Sequence, residues 1–324
     1  MSTPLLEVEE LRVRLPVRGG SISVVDGVDY VVAESEVFGV AGESGSGKTM
    51  SVLALIGLLP SGATASGRAS FRGLDLLALR GRALRDIRGG GIGMVFQDPM
   101  TSLHPMLSIG QQIEEPIRQH LGVPRAGARR RAAELLDAVR LPDPERALRA
   151  YPHQFSGGMR QRVAIAIALA AEPELLIADE PTTALDVTVQ AGIIRLLDAL
   201  RRERGLSVVL ITHDLGVMSA IADRIAVFYA GRVVETGPRD DLLRHPRHPY
   251  TKALLDALPH PELPADHPLV PIAGTPPAPA AVPEGCAFHP RCDHRLEACS
   301  VVVPELVHDG PRAFACPVDP FVRA

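Results

Sequence analysis

GESGSGKT, residues 42–49, decides how the rest of the chain reads. The segment fits G-x-x-x-x-G-K-S/T, follows the strand-like run EVFGVA (36–41) and opens a helix-like run, the two flanks its chemistry requires. Gly42, Gly45 and Gly47 allow the backbone to wrap so that successive N–H groups face phosphate oxygens, and the helix behind them adds the positive end of its dipole. Lys48 then supplies a mobile positive charge for the outer phosphates and Thr49 a hydroxyl for Mg²⁺. A flexible Gly/Ser turn ending in a chance Lys-Thr pair would have no reason to carry both flanks.

Further along, ELLIADEP (174–181) is an apolar strand ending in two adjacent carboxylates. In phosphoryl transfer a strand-end acid holds Mg²⁺ and a neighbouring group orients the attacking water, which predicts Asp179 for the metal and Glu180 as general base. Adjacent strand residues point to opposite sides, so both can act only where the chain is already turning. Just upstream, SGGMRQRVAIAIALA (156–170) opens an apolar helix with a Ser-Gly-Gly turn, a second anion site at a helix N-terminus. Only one loop carries the lysine, so this second positive end serves a nucleotide held by another molecule. That predicts a dimer with ATP between chains, although in isolation the turn reads as an ordinary N-cap. Gln97 after GIGMVFQ and His213 after SVVLIT are polar residues at strand C-terminal ends, where α/β sheets place their ligands.

The 324 residues amount to about two domains. With 34 basic against 38 acidic side chains, a net charge of −4 gives no reason to gather on nucleic acid or anionic lipid, and the arginines at 125–131 read as a solvated helix face. No apolar run reaches the ~18 residues of a membrane span, since VAIAIALAA (163–171) is followed by Glu172, Pro173 and Glu174. The opening MSTPLLEVEE lacks the basic start and apolar centre of a signal peptide, which points to the cytosol. There is no tryptophan and aromatic content is 4%, so an aliphatic core is expected. Val/Ile-rich runs alternate with helical patterns up to about residue 245, the signature of a parallel sheet with crossover helices. LEVEELRVRL (6–15) and ISVVDGVDYVV (22–32) instead alternate apolar with polar, as a half-buried antiparallel layer does. The stretch 106–140 reads as a helical insert, with Leu135, Leu136 and Val139 on one face and Arg131, Glu134 and Asp137 elsewhere. Sixteen of the 29 prolines lie after residue 245, which places a boundary at 240–250 and a Pro-rich linker, PIAGTPPAPAAVP, at 271–283.

GESGSGKT, VFQDP, FSGGMRQR, LLIADEP, TALD and ITHD, in this order and spacing, resemble the ATPase subunit of an ATP-binding-cassette (ABC) transporter over essentially the whole chain. The resemblance implies an α/β P-loop NTPase fold: a parallel RecA-like core, an N-terminal antiparallel β-layer and a helical subdomain at about 100–165, the cassette filling 1–245 and a C-terminal extension 246–324. It implies that Gly42, Glu43, Ser44, Gly45, Ser46, Gly47, Lys48 and Thr49 bind ATP as the Walker A loop, and that Thr49, Gln97 and Asp179 hold Mg²⁺. Gln97 is the Q-loop residue, Glu180 the catalytic base and His213 the switch histidine at the γ-phosphate. Ser156, Gly157, Gly158 and Met159 form the signature that caps the partner's ATP, and Asp186 belongs to the D-loop. Finer features resemble the oligopeptide/dipeptide importer branch: Met159 where most of the superfamily has glutamine, DEPTTALDVTVQ, and RHPRHPYTKALL at 244–255. Leu15 stands where many relatives stack an aromatic ring on adenine, and His104 of SLHP where the branch usually has asparagine.

That branch implies an ATPase energising import of di- or oligopeptides, or a related solute, from the cytoplasmic face of the membrane. Its partners are a second ATPase subunit, commonly a paralogue, two transmembrane permease subunits and an extracytoplasmic solute-binding protein, with no nucleic acid. A soluble ABC ATPase acting on nucleic acid or ribosomes is the competing reading; such proteins usually carry two cassettes or a zinc module inside one. Cys286, Cys292, Cys299 and Cys316 all follow the linker. They lack the tight C-x₂₋₄-C knuckle of zinc sites, and four thiolates on a loop suit an iron-sulfur cluster, while zinc with His289 or His294, or free thiols and disulfides, stay open. The resemblance implies a 4Fe-4S cluster at this place.

Overall fold

The computed structural model describes residues 4–98, 102–183, 185–258 and 271–318. Met1–Thr3 of the opening segment, Pro99 of VFQDP, Ala184 of TALD, and residues 319–324 at the end of the expected extension lie outside them. The chain forms two compact units that interleave along the sequence: one takes 33–36 and 78–211, the other Pro4–Val32, Val37–Leu77 and the chain from Thr212 onward.

In the first unit, strands Ile92–Val95, Leu175–Asp179 and Ser207–Thr212 lie parallel in that spatial order, with Ile92 opposite Leu175 and Leu175 opposite Ser207. Every residue of the strand Leu175–Asp179 is buried, and each such Leu or Ile contributes about 1.5–3 kcal/mol. Gly93 lets this sheet come close to the helix Gly157–Ala168, since a Cβ there would lie 2.3 Å from the Ala168 carbonyl oxygen. The expected helical insert comprises two helices, Ile109–Leu121 and Arg125–Ala138. Gly122 ends the first at φ 63°, and Pro124 cannot carry the helix on because its ring removes the N–H donor. The first helix begins with a capping box between Ser108 and Gln111. On the second, Leu135, Leu136 and Val139 are buried, and Glu134 and Asp137 exposed, as the periodicity predicts.

In the second unit, Gly20–Ala33, Pro4–Val17, Thr64–Phe71 and Leu74–Asp75 form an antiparallel sheet in that order. It is the layer expected from the alternating segments, with a bulge between Glu9 and Arg12 where Glu10 has φ 48°. Strand Val37–Ala41 pairs in parallel with Arg224–Tyr229, which pairs antiparallel with Arg232–Pro238. The tail contributes strands of its own: Arg312–Phe314 pairs with Arg232–Pro238, and Val307–Asp309 folds back on it around Gly310 and Pro311. The core is mainly aliphatic, as composition predicts, with buried aromatics that include Phe38, Phe71 and Phe228 and a cluster in which the Tyr229, Tyr250 and Phe288 rings lie 4.5–5.3 Å apart. Among the described residues no helix is long and apolar enough to cross a membrane.

Candidate nucleotide site

The loop 42–49 belongs to the second unit. Strand Val37–Ala41, buried throughout, ends at Gly42. Gly42 has φ 143°, and a Cβ there would stand 2.3 Å from the Phe228 carbonyl oxygen. Gly47 has φ 99°, with Val24 O at 2.5 Å from the same hypothetical atom. Backbone walls therefore exclude a side chain at both positions, whereas Gly45, φ 81°, faces open space and needs glycine only for its conformation. Lys48 is 4% exposed. Its Nζ crosses the loop to donate to Gly42 O at 2.7 Å, Glu43 O at 2.8 Å and Ser46 Oγ at 3.3 Å. Helix Lys48–Leu55 has neither a capping side chain nor an acid in its first turn, so nothing of its own competes with an anion for the positive end. His213, also in this unit, is exposed; beside it the Asp214 N–H donates to Thr212 Oγ1.

The first unit holds Gln97, Ser156–Met159, Asp179, Glu180 and Asp186. Asp179 is 2% exposed at the end of its strand. The next residue, Glu180, has φ 46°, and its N–H donates to Ile211 O at 2.9 Å. A left-handed conformation at a non-glycine costs about 1–2 kcal/mol, and it turns the chain at the point where two adjacent carboxylates need it. The Glu180 carboxylate accepts from Gln97 Nε2 at 3.1 Å and from Thr183 Oγ1 at 2.9 Å, both on Oε2. Two strand ends read separately in the sequence thus meet on one oxygen. Ser156 and Gly157 are exposed, while Ser156 Oγ accepts from the Met159 N–H at 3.4 Å, so the turn is also the N-cap its composition suggests. A Cβ on Gly158 would lie 2.5 Å from Val189 Cγ1 on the helix Val187–Arg204. Asp186 caps that helix, accepting from the Val189 N–H at 2.9 Å.

Of the residues expected to hold Mg²⁺, Thr49 lies in the second unit and Gln97 and Asp179 in the first. All three are oxygen donors, the chemistry Mg²⁺ takes, and one carboxylate suits an ion that keeps waters and phosphate oxygens for the rest of its shell.

The four cysteines are free and half-buried. The Cys286 N–H donates to Cys299 O at 2.8 Å. Burial pushes the thiols of Cys286 and Cys292 up and that of Cys316 to about 11, and each is raised further by the charge of neighbouring cysteines. The thiols therefore gather in one region. Among the described residues no group of three or more His, Cys, Asp or Glu is placed to hold a metal ion. The expected four-cysteine shell is not formed by the chain alone, and His289 Nδ1 lies 2.9 Å from Cys286 O.

Residues 25–183 match the family described as ABC transporter, and residues 234–299 the one described as oligopeptide/dipeptide transporter, C-terminal region. The dipeptide transport ATP-binding protein DppD of Bacillus subtilis (strain 168) is 46% identical over 302 residues, 93% of this chain and 90% of that one. The chain belongs to the ABC ATPases of the oligopeptide/dipeptide importer branch. This cassette is 45% identical to the oligopeptide transport ATP-binding protein OppD of Salmonella typhimurium over 312 residues, 96% of this chain and 93% of that one. Among solved structures, a dimeric post-hydrolysis state of the ATP-binding cassette MJ0796 bound to ADP and Pi matches with a TM-score of 0.64 and 31% identity, over 72% of this chain and 98% of that one.

Within the ABC cassette, sequence reading missed what holds Glu43. Its N–H donates to the Tyr250 hydroxyl at 2.9 Å, and its carboxylate takes both arms of Arg291 at 2.6 and 3.0 Å. Arg291 is anchored in turn on Ala273 O at 2.8 Å and the Tyr229 hydroxyl at 3.3 Å. Partners 207 and 248 residues apart leave no local pattern to read.

Proposed function

We propose that this ABC ATPase binds and hydrolyses MgATP, and that the cycle energises import of di- or oligopeptides, or a related solute, through a membrane complex. The observation that carries the reading is the loop 42–49, in which Gly42 and Gly47 stand where no Cβ fits and Lys48 is buried across the turn. The names of the relatives, dipeptide and oligopeptide transport ATP-binding proteins, support the cargo class. In this reading the cassette fills 1–245, with its helical subdomain at about 100–165, and the extension 246–324.

Gly42, Glu43, Ser44, Gly45, Ser46, Gly47, Lys48 and Thr49 cradle the phosphates, the backbone N–H groups and the lysine meeting the phosphate charge. Thr49, Gln97 and Asp179 are the residues that would hold Mg²⁺, which would supply charge neutralisation at the phosphate oxygens. Glu180, oriented by Gln97 and Thr183, accepts a proton from water as its oxygen bonds to the γ-phosphorus. The bond from that phosphorus to the β–γ bridging oxygen breaks, and ADP leaves. His213 contacts the γ-phosphate. Ser156, Gly157, Gly158 and Met159 cap the nucleotide of a second subunit, a reading the exposure of Ser156 and Gly157 supports, and Asp186 lies at the same junction. That second subunit is a paralogue. Two permease subunits and a solute-binding protein complete the assembly, which holds this chain at the cytoplasmic face of the membrane.

Cys286, Cys292, Cys299 and Cys316 are the donors for a 4Fe-4S cluster in this reading, supported by four free thiols in one region; no step of ATP turnover passes through it. Iron and sulfide analysis of protein purified without oxygen tests the cluster, and iron-free, colourless protein rejects it. For the ATPase, Glu180→Gln is expected to lower turnover by about 10²–10⁴-fold with MgATP affinity retained. Equal turnover by variant and parent refutes the assignment.

A further inference from the structure

We propose that Arg291, in the C-terminal extension, is a positioning residue for the phosphate loop: it holds and neutralises Glu43, so that a loop built for a polyanion does not present an unbalanced carboxylate to it. The inference rests on the ATP reading above and extends it to a residue outside the cassette motifs.

Glu43 is the second residue of the loop, and a negative side chain there is electrostatically wrong for a triphosphate. Arg291 corrects it with a two-armed contact at 2.6 and 3.0 Å, the geometry in which guanidinium and carboxylate bind most strongly. The arginine side chain is 5% and that of Glu43 24% exposed, so water screens the pair only in part. It is also preorganised: Ala273 O takes its Nε, Tyr229 OH takes one arm, and its charge lies over the Tyr229 and Phe288 rings at 5.8 Å. The other two polar groups of Glu43 are engaged as well, its N–H by Tyr250 OH and its carbonyl by Lys48 Nζ. A continuous chain of contacts therefore runs from Arg291 through Glu43 to the lysine that meets the phosphates. If the extension lets go, the loop regains a free negative charge and loses the tether that sets where Lys48 is anchored.

The test uses the full chain, with MgATP titrated calorimetrically and ATP turnover measured in parallel. For Arg291→Met, Kd and KM are expected to rise about tenfold, the effect of one unscreened unit charge beside a polyanion, with kcat little changed. Adding Glu43→Gln removes that charge, and the double variant is expected to recover most of the affinity. Arg291→Met that binds MgATP as the parent does, while Lys48→Ala loses binding, overturns the proposal and leaves the ATPase reading standing. A weakened Arg291→Met that Glu43→Gln does not rescue also overturns it, since the loss then comes from a disordered tail. Lys48→Ala that binds normally sinks the ATP reading itself.

Discussion

Replacing Gly47 by alanine separates two reasons for a glycine in the phosphate loop. The residue has φ 99°, which an L side chain rarely adopts, and the new Cβ would meet Val24 O at 2.5 Å and Gly231 Cα at 3.3 Å. Both obstacles are main chain, so no rotamer change relieves them and the loop itself must move. The conformational penalty is about 1–2 kcal/mol and forced overpacking adds about 1–3 kcal/mol. At about 1.4 kcal/mol per tenfold, MgATP affinity is expected to fall at least about 30-fold. Gly45→Ala is the matched control: its φ of 81° carries a similar conformational penalty, but no atom lies within 4 Å of its Cβ. Calorimetric titration of both variants, with circular dichroism to confirm that each is folded, isolates the contact. Gly47→Ala binding within twofold of Gly45→Ala would show that the Val24 wall does not set the loop.

Two further outcomes follow from packing and from burial. A Cβ on Gly158 would lie 2.5 Å from Val189 Cγ1, so Gly158→Ala is expected to lower stability by about 1–3 kcal/mol and Val189→Ala to restore part of it; a Gly158→Ala melting curve identical to the parent's contradicts that packing. Burial holds the His248 imidazole down at about 3, below its ordinary value of about 6.5, while its Nδ1 accepts the Tyr250 N–H. The unfolded chain therefore binds the extra proton first: the stability from neutral His248 is complete above about pH 6.5 and drains away between there and about pH 3, by up to about 1.4 kcal/mol per pH unit. Denaturant melts of parent and His248→Asn, which keeps a capping acceptor, at pH 7 and pH 5 check this. An equal loss on acidification in both proteins refutes it.

What the sequence disclosed was whatever is encoded locally. The glycine spacing at 42, 45 and 47 is dictated by backbone geometry within one turn, and the strand Leu175–Asp179 is a single apolar run closed by acids. The break between Ile109–Leu121 and Arg125–Ala138 is also written locally, in Gly122 and Pro124. The tail hairpin at 307–314 was missed: the Gly310-Pro311 turn is legible, yet its strands are three residues each and hold only by pairing with a remote neighbour. Contacts such as Gln97 with Glu180 or Arg291 with Glu43 join positions 83 and 248 residues apart, and nothing short of the folded chain specifies them. The cysteines show the converse, since four of them near each other in sequence suggest a ligand shell that the chain alone does not assemble.

The fully buried carboxylate of Glu235 sits in the strand Arg232–Pro238 and receives the N–H groups of Arg247 and His248 and one arm of Arg312. Every one of these donors lies beyond residue 245. A shortened chain ending there would strip the Glu235 carboxylate of these three donors and leave a sheet margin without the strand Arg312–Phe314. For anyone preparing this protein, the compact piece to express therefore runs through the tail, and trimming it back to the motifs that name the family would yield sticky, poorly folded material.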